Sequence, residues 1–378
     1  MNPEGLDRRR FLALAAAGSV LPGAVAAAFA SPRRLLQRNG YPTDAETPLE
    51  LLTDYITPND LFFVRHHWNP VTVDPATWSL AVDGEVDRPL RLTLAELRAM
   101  PAASATCVLQ CAGNGRGLQS PPVPGVQWKY GAVGNARWTG VRVRDLLDRA
   151  GVRPAARHVH TFGADVPPGK VPPFHRSVEI EKLAADGIVA YEMNGEPLAH
   201  PHGAPARLVV PGWAGDHWMK WLGRLSPQPL AQTGFYMDTA YRYPKSPGAP
   251  GAPVKPEDTV PVTELFVKSN FTRVPSGARV GRPVELGGFA FSGAPDVARV
   301  EVSDDAGGSW KTAALESRHD PFAWRLWTFR WTPSRPGDAS LLCRATDARG
   351  AVQPKEGAWN PSGYLQNGWH SVTVPVSA

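Results

Sequence analysis

The sequence predicts an α+β protein, mostly β, in which a mixed first domain is followed by an all-β sandwich. Three observations carry this expectation. Thirty-nine prolines and 36 glycines in 378 residues interrupt the chain too often for long helices. Apolar residues recur mainly in alternation with polar ones, the period of a half-buried strand. The stretch YPKSPGAPGAPVKPEDTVPV (243–262) lacks periodicity and reads as a linker. The expected divisions are a leader at 1–30, a first domain at 31–250 and a second at 251–378.

Taken in order, the leader DRRRFLALAAAGSVLPGAVAAAFA has Arg8, Arg9 and Arg10 ahead of Phe11 and Leu12, an Ala-rich apolar run, and AFA before Ser31. That is an n-region, an h-region and a small-residue cleavage site. The arginine pair fits twin-arginine export, so the mature protein is expected in the periplasm, without a membrane span. Residues 31–60, with Pro42, Pro48 and Pro58, read as a lead-in. WSLAVDGEVDRPLRLTLAEL (78–97) alternates as a strand, a turn at Asp83-Gly84 and a second strand. TLAELRAM (93–100) then reads as a short helix capped by Thr93. VRVRDLLDRAG (141–151) predicts a helix closed by Gly151, and VEIEKLAADG (178–187) a strand or turn running into a helix. Beyond the linker, ARVGRPVELGGFAF, VARVEVSDDAGGSW, WRLWTFRWTP and ASLLCRATDARG alternate between turn residues, the pattern of an immunoglobulin-like sandwich.

Charge and cysteine usage narrow the function. The formal net charge is +5, without the clustered Lys/Arg runs of a nucleic-acid binder. Three cysteines are an odd count, not a disulfide framework. Four extended residues span roughly 13 Å, too far for a Cys107–Cys111 bridge without a tight turn. Cys343 alternates with apolar neighbours and reads as strand core.

CVLQCAGNGRG (107–117) ends an apolar strand in a thiol, a glycine loop and Arg116. It is not a dinucleotide fingerprint, since Gly113 and Gly115 are followed by Leu118 where a third glycine is needed. It suits a soft metal ligand beside an anion contact. FFVRHHW (62–68) adds Arg65, His66 and His67, and HPHGAPARLVVPGWAGDHWMKWLGRL (200–225) adds His202, Arg207, His217 and Lys220. One loop thiol and several cations with few carboxylates describe a pocket for a polyanionic cofactor and an anionic substrate.

FFVRHH, LQCAGNGR, AYEMNGEPL, HGAPARLVVPG, MKWL and WNPSGYLQNGWHSV together resemble the sulfite oxidase family over nearly the whole chain after the leader. The resemblance implies a molybdopterin-binding catalytic domain followed by a dimerisation sandwich, and a molybdenum–molybdopterin cofactor. Cys111 then matches the thiolate ligand of molybdenum, and Cys107 has no counterpart role. Arg65 and Arg116 match arginines that face the substrate, and His67 a cofactor-contacting histidine. His202, Arg207 and Lys220 match groups that hold the pterin and its phosphate. Trp128 resembles a pocket-wall tryptophan. The active-site tyrosine falls on Tyr241, with Tyr243 two residues away as the alternative. Where the animal enzymes carry a further arginine this chain has Ser362, and Gly115 replaces the first of two arginines after CAGN.

The expected function is therefore periplasmic oxidation of sulfite to sulfate by a homodimer. No CxxCH haem motif and no cytochrome b5-like domain is read in the sequence, so electrons are expected to leave to a separate partner, a c-type cytochrome or another electron-transfer protein. Two other readings stand beside it. One is an S-oxide or N-oxide reductase on the same fold, which Ser362 favours. The other is a non-catalytic secreted binding protein, which Cys111 in an oxidising compartment disfavours.

Overall fold

A computed structural model describes residues 35–378 except 41 and 69; the leader lies outside the described residues. From Leu35 onward the chain is one compact unit with two hydrophobic cores. Among the described residues no helix is long and apolar enough to cross a membrane.

The first part is built on two five-stranded sheets. In one, the strands run Leu90–Thr93, Ser79–Val82, Leu222–Gln228, His158–Gly163 and His175–Glu179, with Ser79–Val82 and Leu222–Gln228 parallel. In the other, Ala102–Gln110 pairs with Val133–Arg142, which pairs with Ile188–Met193; Glu196–Pro197 and Arg207–Val209 both add to that strand. The alternation expected at 78–97 is this first hairpin, Ser79 opposite Thr93.

The short helices fall where their caps are. Helix Leu94–Ala99 begins at Thr93, whose hydroxyl accepts from the Glu96 N–H while the Glu96 carboxylate accepts from the Thr93 N–H at 2.8 Å. That reciprocal box satisfies two otherwise orphaned donors. Helix Val143–Ala150 buries Val143, Leu146, Leu147 and Ala150 and closes at Gly151. Helix Ile180–Asp186 follows its strand directly.

The proline-rich stretch holds a strand ladder that its composition hides. Arg242–Pro244 pairs antiparallel with Thr259–Pro261, and the Arg242 guanidinium donates to the Thr259 hydroxyl at 2.6 Å and carbonyl at 2.8 Å. A long-range arginine clip, not apolar period, fixes that ladder.

The last third is a sandwich. Four strands are ordered Lys268–Arg273, Val284–Phe291, Arg325–Trp331, Ala314–Leu315. Five are ordered Ala278–Arg279, His370–Ser377, Gly337–Asp347, Val297–Ser303, Lys311–Thr312. Phe271, Leu286 and Trp327 from one sheet meet Val300, Leu341, Cys343 and Val374 from the other in a common core. Cys343 is a fully buried strand thiol. Phe289, Phe291 and Trp324 instead join the core of the first part.

Candidate active site

The Ala102–Gln110 strand delivers Cys111 at its end. The Cys111 N–H donates to the Ala132 carbonyl at 2.9 Å, which anchors the loop beside the neighbouring strand. Cys111 is a buried, unbridged thiol lining a cleft in the first part of the chain. Burial pushes its pKa up, while Arg65 and Arg116 pull it back. Cys107, four residues earlier, sits wholly in the core, where burial pushes its thiol pKa up.

Arg65, His67, His202, Arg207, Lys220 and Tyr241 line the same cleft, drawn from four distant segments. Arg65 lies 3.5 Å from Asp44, and its side chain keeps 25% of its surface exposed. Lys220 Nζ donates to the Arg65 and Pro201 carbonyls, both at 3.0 Å, and lies 4.4 Å from the Trp221 ring centre. One of its three N–H donors is left over. Gly203, at φ 101°, is what lets Lys220 in: a Cβ there would lie 2.9 Å from Lys220 Cβ.

Arg207 is 3% exposed and donates to the His202 carbonyl at 3.0 Å and the Trp218 carbonyl at 3.3 Å. Trp138 and Trp218 flank its guanidinium at 5.0 and 5.8 Å, and its Nε has no partner. Burial pulls its pKa down to about 9, and that of His202 to about 4. Burial also holds Lys220 well below the usual lysine range. Two buried bases, His202 and Arg207, and the half-buried Lys220, each held away from its charged form or short of acceptors, describe a site shaped for an anion.

His67 stacks on Phe174 at 4.0 Å and shares a 2.7 Å hydrogen bond between its Nε2 and the Tyr241 hydroxyl. Burial, Arg65 and Lys220 keep the imidazole neutral, and burial keeps the Tyr241 hydroxyl protonated. Tyr243 faces away, edge-on to Phe266 at 5.3 Å. Of the two tyrosines, Tyr241, which the spacing gives first, lines the cleft and Tyr243 does not.

Arg116 lies behind the cysteine loop, outside the cleft lining. Its Nε donates to the Ser362 carbonyl at 2.7 Å, its Nη1 to the Val126 carbonyl at 3.1 Å, and Tyr364 stands 5.3 Å away. A Cβ on Gly113 would lie 2.6 Å from Arg116 Nη2, so the glycine run makes room for this arginine. Trp128 is fully buried and also outside the lining.

Several further groups stand at this cleft besides those that the sequence motifs single out. Asp165 and Asp216 line the cleft, with Asp165 pushed towards its neutral form by burial. Asp216 is bound by the fully buried Arg176 at 2.7 Å. Arg176 stands in an ordinary strand sequence, HRSVE, so no local pattern marks it.

Residues 66–236 match the oxidoreductase molybdopterin binding domain, and residues 261–377 the Mo-co oxidoreductase dimerisation domain. The sulfite oxidase of Gallus gallus is 38% identical over 350 residues, covering 87% of this chain and 75% of that protein. The chain belongs to the sulfite oxidase family. The mitochondrial sulfite oxidase of Homo sapiens is 38% identical over 356 residues, and the alignment covers 89% of this chain but only 65% of the human protein. Among solved structures, the sulfane dehydrogenase SoxCD from Paracoccus pantotrophus superposes with a TM-score of 0.78 at 27% identity, covering 100% of this chain and 96% of that one.

Membership makes the chain a molybdopterin-dependent oxidoreductase with a molybdenum–molybdopterin cofactor. The cleft fits that group on its own chemistry. It offers one buried thiol as a soft ligand, the unpartnered Nε of the buried Arg207, and the side chain of Lys220 beside it for a phosphate.

Proposed function

We propose that this protein oxidises sulfite to sulfate in the periplasm, reached through twin-arginine export, and passes the electrons to a c-type cytochrome. The observation that carries the reading is the meeting of Cys111, Arg65 and the His67–Tyr241 pair on one cleft in a chain 38% identical to a sulfite oxidase.

In this reading Cys111 holds molybdenum, and His202, Arg207, Lys220 and His67 hold the pterin and its phosphate. The bound cofactor supplies the two-electron redox chemistry. Arg65, lining the cleft, orients the tetrahedral oxyanion, since a guanidinium offers paired donors in a fixed fork. Arg116 acts from behind the loop through its charge on Cys111. Tyr241, protonated and bonded to His67, holds a proton on the cleft wall. Converting sulfite and water to sulfate releases two electrons and two protons, so turnover needs a route for protons out of the cleft as well as an electron acceptor.

Pairing through 261–377 is proposed to give a homodimer with two-fold symmetry. Light scattering of the purified protein should give twice the chain mass, and a clean monomer would remove the pairing. For activity, sulfite-dependent reduction of ferricyanide and cytochrome c is the test. Turnover of S-oxides or N-oxides with a low-potential donor, and none of sulfite, would establish the reductase instead. A purified protein without molybdenum after expression with the cofactor pathway would favour a binding protein.

A further inference from the structure

Arg176 has none of its side chain exposed. Burying a guanidinium is costly unless its donors are taken, so the groups that take them are informative. Nη2 donates to Asp216 Oδ2 at 2.7 Å and to His217 Nε2 at 3.0 Å, and Nη1 donates to the Tyr236 carbonyl. The guanidinium carbon lies 5.4 Å from the centre of the Tyr241 ring. Because arginine only donates, His217 Nε2 carries a lone pair, and the imidazole proton sits on Nδ1, 3.3 Å from Asp216 Oδ2. One side chain therefore ties the Gly215–His217 turn, the Phe235–Thr239 turn and the Tyr241 ring together.

Tyr241 has need of such a hold. Its φ of 55° lies in the left-handed region that bulky residues seldom adopt, so its backbone preference does not aim the ring. The aim comes from contacts: Tyr364 stacked at 5.2 Å and 14°, His67 at the hydroxyl, and Arg176 at the ring. Two residues before Arg176, Phe174 stacks on His67. The start of one strand thus bears on both members of the hydrogen-bonded pair.

We infer that Arg176 is a positioning residue: braced by Asp216 and neutral His217, it fixes the Tyr241 hydroxyl against His67 Nε2 on the cleft wall. The inference rests on the proposal that this cleft is the reaction site.

The test is a cycle of four holoenzymes: wild type, Arg176→Met, Tyr241→Phe and the double variant. Arg176→Met should lower kcat roughly tenfold or more with KM moved less than about threefold, the pattern of a lost transition-state contact. In the Tyr241→Phe background the same change should cost less than about twofold, because contacting residues are non-additive. Arg176→Lys, which keeps the charge, should recover part of the loss. Equal losses in both backgrounds would overturn the inference and leave Arg176 as fold support only. If Arg176→Met does not fold, Arg176→Gln with Asp216→Asn leaves no lone buried charge and completes the same cycle. A second readout needs no turnover: in ¹⁵N-histidine-labelled protein, the His67 ring-nitrogen resonance should move in Arg176→Met as it does in Tyr241→Phe. An unmoved resonance would also overturn it. A chain inactive on sulfite would sink the proposed function and leave this spectroscopic result to stand or fall alone.

Discussion

Replacing Arg207 by methionine should have opposite consequences for the fold and for the cofactor. Burial takes the Arg207 pKa from the ordinary 12.5 to about 9. At about 1.4 kcal/mol per pKa unit, housing the charge costs on the order of 5 kcal/mol. Two hydrogen bonds, to the His202 and Trp218 carbonyls, offset it. Charged donors contribute about 1.5–3 kcal/mol each. The terms nearly cancel, so in protein expressed without the cofactor pathway Arg207→Met should change unfolding free energy by less than about 2 kcal/mol. In protein expressed with the pathway, the same variant loses a buried cation aimed at an anion. Molybdenum and pterin per chain should fall roughly tenfold or more. The assay is paired denaturant melts of the two preparations, with metal content by mass spectrometry. A large loss of cofactor-free stability together with undiminished molybdenum would refute the reasoning and make Arg207 a structural clamp.

Further outcomes concern the cysteines, Arg116 and Ser362, and the sandwich residue His370. Cys111→Ser should abolish turnover while leaving the fold intact, whereas Cys107→Ser, in a tight core position, should leave most activity; the reverse result would reassign the ligand. Arg116→Gln removes the bond to the Ser362 carbonyl and part of the field on Cys111, so kcat/KM for sulfite should fall about 10- to 100-fold, and Ser362→Arg should tighten product inhibition by sulfate. His370 Nδ1 accepts from the Phe271 N–H at 3.0 Å, and burial pulls its pKa to about 3. Its folded value lies below the unfolded one, so its contribution to stability is full above about pH 6.5 and is lost as pH falls towards 3, by order of a few kcal/mol. Melts of wild type and His370→Gln across that window should converge at the acid end.

Much of the architecture was legible because its causes are local. Thr93 and Glu96 three residues apart are a cap in any context, and Gly151 ends a helix because glycine accepts a positive φ. The alternation in ASLLCRAT places Cys343 inside, since strand period assigns faces without knowledge of the partner strand. The family was legible too, from long motifs kept in order. Cys111, Arg65, His67, His202, Arg207 and Lys220 could all be named from those motifs, and they do share one cleft.

What only the tertiary structure decided depends on contacts between segments far apart in the chain. Tyr241 and Tyr243 differ by two residues, and a positive φ at Tyr241 together with the clip between Arg242 and Thr259 turns one to the cleft and the other away. Arg116 carries the same charge as Arg65, yet its donors go to the Ser362 and Val126 carbonyls, 246 and 10 residues away. Arg176 meets Asp216 and His217 across some 40 residues, with no motif to announce it. Residue type and spacing determine which chemistry the chain can hold. Which charge faces the cleft and which is spent on backbone is set by burial, because desolvation favours pairing a buried donor with whatever acceptor the fold brings to it.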